Sequence, residues 1–274
     1  MRYLGVDLTW SDSTRAYETG VAAIEDDGRV VAAGWTVGVA ETVAWLEQHA
    51  GREVLALVDA PLLVLNQPRT QRLCEKQVGQ RYGRWKVSAN STNLRSRHLA
   101  GVTLRRELEA QGWVYDDGLG AGSRESPRVV SECYPYTTLV GARELGYDHE
   151  RPLYKRKPRR LSTADWRPMR AAACDELVRR IDKLSSTSPA LDLRSNPVTR
   201  SLLAPSPLED RAYKHREDLI DALLAAWTAA LWRNHGLSRC QILGADDPLI
   251  DEHGARATII APARQEQQPA EIAL

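Results

Sequence analysis

The stretch YLGVDL at residues 3–8 predicts a short buried strand that closes on an acidic residue, Asp7. Four more elements are predicted directly after it in the order strand, strand, helix, strand; they cover residues 19–25, 29–36, 39–50 and 53–58. A hairpin followed by a helical crossover brings the chain back parallel to an earlier strand. The start of the chain therefore predicts an α/β protein with a mixed sheet flanked by helices.

The middle of the chain departs from this alternation. Residues 62–98 are polar and basic, and we predict that they form an insertion after the fourth strand. Residues 185–207 are rich in serine and proline and predict a loop-rich excursion. Further helices and strands are predicted over residues 97–111, 128–132, 136–145, 164–184, 215–232 and 257–261. We expect a single domain over residues 1–262 and a loose tail over residues 263–274.

The composition disfavours several classes of protein. The 274 residues are 43% hydrophobic, enough to bury a core, and the formal net charge of +1 gives no overall preference for polyanions. The four cysteines are dispersed without a C-x-x-C pair, which disfavours a structural zinc site and a disulfide framework. The sequence shows no signal peptide and no apolar run of membrane-spanning length. These features predict a cytoplasmic protein with no membrane partner.

Acidic residues stand at the ends of the predicted buried elements. Asp7, Asp59 and Glu132 each end or follow a strand, and ligands of open α/β sheets gather beyond the carboxyl ends of the strands. Asp218 and Asp221 are three positions apart, so they share one face of the last long helix. Clustered carboxylates raise one another's pKa, and a divalent cation such as Mg²⁺ or Mn²⁺ relieves the repulsion. We predict that these five acids form a catalytic site for phosphodiester chemistry.

Each acid taken singly has a simpler explanation. Asp7 could cap a strand, and Asp59 could belong to an Asp-Ala-Pro turn. Asp218 could complement the dipole near a helix start, and Asp221 could pair with a surface arginine. We favour a shared site because all of these acidic residues are predicted to lie at the ends of buried elements.

Two basic segments predict a nucleic-acid partner. Residues 69–106 contain ten lysines and arginines and one acid, and residues 155–160 form a second basic cluster. His215 and Lys214 precede Asp218 and could reach the same site, His215 either as a general acid or as a cap of the helix start. The alternative is a solvated arginine-rich surface. The candidate nucleic-acid contacts are Arg72, Arg81, Arg84, Trp85, Lys86, Asn90, Lys155, Lys214 and His215.

Several stretches carry a family resemblance. They are GVDLTW (5–10), VDAPL (58–62), RLCE (72–75), SANSTNL (88–94), SECYP (131–135), YK (154–155) and HREDLIDALLAAWTA (215–229). Together they resemble the DUF429 family of predicted nucleases. The resemblance implies a ribonuclease H-like fold, a metal-dependent nuclease acting on DNA or RNA, Mg²⁺ or Mn²⁺ as cofactor, and a possible homodimer.

The resemblance also implies roles for individual residues. Asp7 would be the central metal ligand and Asp59 the second, and Asp218 or Asp221 would close the site. Glu132 would be a further ligand or would orient the middle segment. Many nucleases of this fold have glutamate at the second position, where this chain has the shorter Asp59.

Two other functions stay open on the sequence. An ATP-dependent phosphotransferase or ATPase of the same fold superfamily needs a glycine-containing phosphate loop after the first acid. Asp7 is instead followed by Leu8-Thr9-Trp10, and residues 116–120 resemble such a loop only weakly. A non-catalytic nucleic-acid-binding module is the third interpretation, and the intact acids count against it.

Overall fold

A computed structural model describes residues 1–9, 18–120 and 126–267 of the chain. Trp10 of the GVDLTW stretch and the predicted tail from residue 268 onward lie outside these residues. The strands of the main sheet are β1 (Arg2–Asp7), β2 (Glu18–Glu25), β3 (Val30–Val37), β4 (Val54–Val58), β5 (Val114–Tyr115) and β6 (Arg128–Glu132).

The main sheet is mixed. Its spatial order is β3-β2-β1-β4-β6-β5. β2 runs antiparallel to both of its neighbours, whereas β1, β4, β6 and β5 are parallel to one another in turn. The predicted mixed α/β sheet is confirmed, including the return of the chain after the first helix to a strand parallel to β1.

Helices cover both faces of this sheet. They are α1 (Gly38–His49), α2 (Leu73–Tyr82), α3 (Ala100–Ala110), α4 (Pro135–Gly141), α5 (Thr163–Asp182), α6 (Pro197–Arg200) and α7 (Asp210–His235). Two further strands, β7 (Cys240–Leu243) and β8 (Ile259–Pro262), form a separate antiparallel pair. None of the helices in the described parts of the chain is both long enough and apolar enough to span a bilayer.

The alternation of side chains along the strands divides the core into two layers. Tyr3 of β1 belongs to the buried cluster that contains Trp227 of α7. Its neighbour Leu4 belongs to the other buried cluster, with Leu46 of α1 and Leu104 of α3. One face of the sheet is therefore the α7 face and the other is the α1/α3 face.

The long helix α7 begins earlier than the sequence predicts. It starts at Asp210, well before the predicted His215, and the side chain of Glu209 accepts hydrogen bonds from the amides of Arg211 and Ala212. This cap satisfies two of the free amides of the first turn. The apolar residues of α7 pack across the sheet, with Trp227 fully buried.

Sequence reasoning missed α2, β5 and β7, and also the short helix α6 inside the predicted loop-rich excursion. Cys74, Val78 and Tyr82 recur every fourth residue and are buried, so α2 has an apolar face that its many charged residues obscure. β5 is only two residues long, too short to show alternation. The stretch predicted as polar and basic therefore contains a packed helix.

Candidate functional site

Two aspartates are placed on the α7 face by the pleat of the sheet. Asp7 is the last residue of β1 and alternates with Gly5 and Tyr3. Asp59 follows β4 and alternates with Leu57, which is packed in the α7 layer. The amide of Asp59 donates to the carbonyl of Val6 at 2.8 Å, so the strand pairing continues to this residue.

Two glycines let α7 approach the sheet closely. A Cβ atom at Gly5 would lie 1.9 Å from the carbonyl oxygen of Ala222, and one at Gly20 would lie 2.2 Å from that of Asp218. The helix backbone therefore rests directly on the backbones of β1 and β2. Side chains on this side of α7 reach the end of β1 without crossing an intervening layer.

Four aspartates meet at this point, and we call Asp7, Asp59, Asp218 and Asp221 the aspartate cluster. Carboxylate oxygens of Asp7, Asp59 and Asp221 all lie within 4.8 Å of one another. Asp218 lies against Asp7, with which it can share a proton in a hydrogen bond. The cluster therefore joins the ends of two neighbouring parallel strands to one face of α7.

Burial and mutual repulsion change the acidity of the cluster. Burial, and then the charge of Asp7, raise the pKa of Asp218 to about 8, although Lys214 opposes the shift. The same two causes raise the pKa of Asp59 well above its ordinary value, and Lys155 opposes them. At neutral pH the metal-free cluster therefore retains protons that free aspartates would have lost.

Two lysines partly balance the negative charge. Lys155 makes an ion pair with Oδ2 of Asp221, while the hydroxyl of Tyr154 donates to Oδ1 of the same carboxylate at 2.7 Å. Lys214 donates to Oδ1 of Asp218 at 2.5 Å and to Glu217 at 3.0 Å. Each of the two aspartates on α7 therefore has a cationic partner.

The cluster opens into a cleft of about 510 Å³. Asp7, Asp59 and Asp218 line it together with Lys155 and Lys214. The rest of its lining includes the polar or aromatic side chains of Thr9, Glu18, Asn90, Tyr134, Tyr136, Arg156 and Glu217. Acidic, cationic and aromatic groups thus face one solvent-filled space.

The predicted nucleic-acid contacts fall into two groups. Asn90, Lys155 and Lys214 line the cleft. His215 lies beside it, with Nε2 2.9 Å from the carboxylate of Glu18 and its ring edge-on to Trp35.

The surface cations Arg81, Arg84 and Lys86 do not line the cleft; they pair with Gln241, Glu266 and Glu150, respectively. Of the predicted contacts, the cleft therefore brings together Asn90, Lys155 and Lys214, whereas these three surface cations lie outside its lining.

Arg72 and Trp85 need correction as nucleic-acid contacts. Arg72 is only 2% exposed and Trp85 only 1%, so neither can reach a polyanion or stack on a base. The indole of Trp85 donates to the carbonyl of Asp148 at 2.9 Å within the core. Both residues lie in a basic stretch of the sequence, but their side chains are buried in the interior.

Glu132 lies apart from the aspartate cluster because it points to the other face of the sheet. It pairs in register with Val58, which belongs to the α1/α3 layer. Its two oxygens accept from Arg72 at 2.6 and 2.8 Å, and Arg72 also donates to Glu75 at 2.9 Å. We call Arg72, Glu75 and Glu132 the arginine cluster.

The arginine cluster anchors the segment after β4. Glu132 accepts from the amide of Leu62, and Glu75 accepts from the amide of Thr92. Of the two roles that the resemblance implies for Glu132, these contacts favour orientation of the middle segment. We therefore no longer assign Glu132 to the catalytic set.

Sequence reasoning missed Glu18, Glu217, Tyr136 and Arg156. Glu217 precedes Asp218, and Arg156 belongs to the basic cluster that the sequence analysis identified, so both had a local signal. Glu18 reaches the cleft because β2 pairs with β1. Strand pairing brings Glu18 to the cleft, so no local sequence motif indicates its position there.

The comparisons with known proteins identify a family. The model of the family described as protein of unknown function (DUF429) matches residues 5–246, most of the chain. No curated protein and no solved structure matches this chain. The chain therefore belongs to the DUF429 family, as the sequence analysis predicted.

Proposed function

We propose that this DUF429 protein is a divalent-metal-dependent nuclease that hydrolyses phosphodiester bonds in DNA or RNA. The observation that carries the proposal is the convergence of the aspartate cluster from β1, β4 and α7 into one cleft. Acids widely separated along the chain are gathered there at a cost in repulsion, which a bound cation would remove.

The strand order supports a ribonuclease H-like fold for this chain. A sheet of order 3-2-1-4 with the second strand antiparallel, a first strand ending in an acid and a final acidic helix across the sheet is typical of that fold. Under this assignment, residues 62–98 are an insertion between β4 and α3.

The donor set fits Mg²⁺ or Mn²⁺. All donors are carboxylate oxygens, which these cations prefer. The oxygens of Asp7, Asp59 and Asp221 lie within 4.8 Å of one another, so these three side chains would hold the cation. When bound, the cation would supply Lewis-acid activation of water and charge stabilisation for the leaving oxygen.

The remaining groups of the cleft would act on the substrate. Lys214 and Arg156 supply positive charge for the phosphates, and Asn90 supplies an amide for their oxygens. The partly exposed ring of Tyr134 offers a stacking surface for a base. His215, held by Glu18, is a candidate to donate a proton to the leaving oxygen.

The loop considered for an ATP-dependent reaction lies elsewhere. Gly118 packs against Ile242 and Trp232 near the far end of α7. Trp232 is 14 residues along that helix from Asp218 (232 − 218), or about 21 Å at the rise of an α-helix. No contact of this loop with the cleft is found among the described residues, so we do not favour that alternative.

The proposal is tested with a panel of labelled nucleic acids: single-stranded DNA and RNA, duplexes and branched junctions. Each is incubated with Mn²⁺, with Mg²⁺ or with a chelator. We expect metal-dependent cleavage of at least one substrate, lost in Asp7→Asn. Asp27→Asn is the matched control, since Asp27 is exposed on the β2–β3 turn. Binding that survives Asp7→Asn without any cleavage by the unmodified protein would instead favour a non-catalytic module.

A further inference from the structure

Lys155 occupies an unusual position for a substrate-binding lysine. Its side chain is only 15% exposed, and its ammonium group contacts Oδ2 of Asp221, a residue with no exposed surface. Tyr154, the preceding residue, holds the other oxygen of Asp221. Two consecutive residues therefore engage both oxygens of one carboxylate in the aspartate cluster.

This contact conflicts with metal binding. Asp221 is one of the three aspartates whose oxygens lie within 4.8 Å of one another, and a cation bridging them needs an oxygen of that carboxylate. The ammonium of Lys155 holds Oδ2, and two cations repel strongly over such short distances in a buried site. Either the lysine or the divalent cation can neutralise the cluster at this point.

The surroundings of Lys155 provide a place for the ammonium to move to. Its Nζ lies 5.4 Å from the ring centre of Tyr136 and 5.5 Å from that of Tyr154, within range for cation–π attraction. Lys155 and Tyr136 both line the open cleft. A side chain displaced from Asp221 therefore stays beside the rings and faces the space that a substrate phosphate would occupy.

We propose that Lys155 is a built-in counter-cation, which balances the aspartate cluster in the metal-free protein and competes with the divalent metal for Asp221. The inference rests on the proposed function. Metal binding releases the lysine into the cleft, where a phosphate of the substrate provides its new partner. Metal and substrate binding then strengthen each other, because each favours the displaced lysine.

The test measures Mn²⁺ affinity by titration calorimetry, without any substrate. Lys155→Met removes the competing charge and keeps the apolar stem, so we expect Mn²⁺ to bind about tenfold more tightly or better. Lys157→Met is the matched control: it removes the same charge from the same loop, where Lys157 is exposed and contacts only the carbonyl of Leu161 among the described residues. It should bind Mn²⁺ like the unmodified protein.

A second variant controls for the possibility that Lys155→Met is misfolded. Lys155→Gln also removes the charge and keeps a hydrogen-bond donor, so it should show the same tighter binding, and thermal unfolding should establish that each variant is folded. Equal or weaker Mn²⁺ binding by the folded Lys155 variants would overturn the inference and leave the proposed metal site intact. No Mn²⁺ binding by any of the proteins would overturn the proposed metal site itself, and the inference with it.

Discussion

Two buried charged clusters lie near the same edge of the sheet, and Asp59 of one lines a small cavity with all three residues of the other. In the arginine cluster, the guanidinium of Arg72 donates to both Glu75 and Glu132 and to the carbonyl of Leu63. In the aspartate cluster, four carboxylates share two lysines, and three of the carboxylates line an open cleft. The first cluster satisfies its own hydrogen bonds, whereas the acids of the second repel one another, so that Asp218 keeps a proton at neutral pH.

This difference separates a structural cluster from a candidate site. Burial, and to a smaller extent the charge of Glu75, raise the pKa of Glu132, but Arg72 opposes the shift with both its charge and its hydrogen bonds. In the aspartate cluster the second-largest influence on Asp59 and Asp218 is another acid. A buried acid whose neighbours are acids is a candidate ligand for a cation, whereas a buried acid held by arginine is typical of a structural contact.

The largest effect is expected from a substitution that disrupts the arginine cluster. Arg72→Met leaves two buried glutamates without their partner, which should lower the free energy of unfolding by about 3–5 kcal/mol. Urea denaturation measures this loss. A loss below about 1 kcal/mol would mean that the cluster contributes little, and the contrast between the two clusters would fail.

A smaller effect is expected where α7 rests on β2. Gly20→Ala places a methyl group against the backbone of Asp218, and relieving this clash should cost about 1–3 kcal/mol and weaken Mn²⁺ binding. Gly34→Ala on β3 is the matched control, because among the described residues nothing beyond its chain neighbours lies within 4 Å of the added Cβ. Unchanged Mn²⁺ binding by Gly20→Ala would show that the close approach of α7 does not position the acids.

The third effect concerns pH, and it is the smallest when counted per pH unit. Asp218 has its pKa raised from 3.8 to about 8 in the folded protein, so the folded state holds a proton that the unfolded chain releases. Its contribution to stability is complete below pH 3.8 and is lost as pH rises toward 8, by at most about 1.4 kcal/mol per pH unit.

Urea denaturation of the metal-free protein at pH 5.5, 6.5 and 7.5, chosen to span roughly this window, should show the decline. The Asp218→Asn variant should show a weaker decline, because its amide does not titrate. If both proteins have the same slope, Asp218 does not carry the repulsion that we assign to the aspartate cluster.

Much of the site followed from local patterns in the sequence. Strand patterns placed Asp7 and Asp59 at the ends of their strands, and helix spacing placed Asp218 and Asp221 on one face of α7, although that helix begins earlier and both lie inside it. Glu132 also ends a strand, but no local pattern shows which face of the sheet it points to. That depends on its register with Val58, which is fixed only when the strands pair.

The partners of the charged residues could not be predicted from the sequence for a similar reason. Arg72 and Glu132 are 60 positions apart, and Tyr154 and Asp221 are 67 apart. A basic residue in a basic stretch looks like a surface residue until its partner is known. Sequence patterns thus located the acids, whereas three-dimensional pairing decided which charges are structural.

The direct packing of α7 on Gly5 and Gly20 limits how this part of the protein can open. A helix in backbone contact with two central strands opens only when the sheet itself opens, so the amides around Asp218 and Asp221 should exchange with solvent through global unfolding. Lys155 lies in a stretch without regular secondary structure, from residue 146 to residue 162, which can open locally. The anions are therefore the fixed partners in this cleft and the lysine is the movable one.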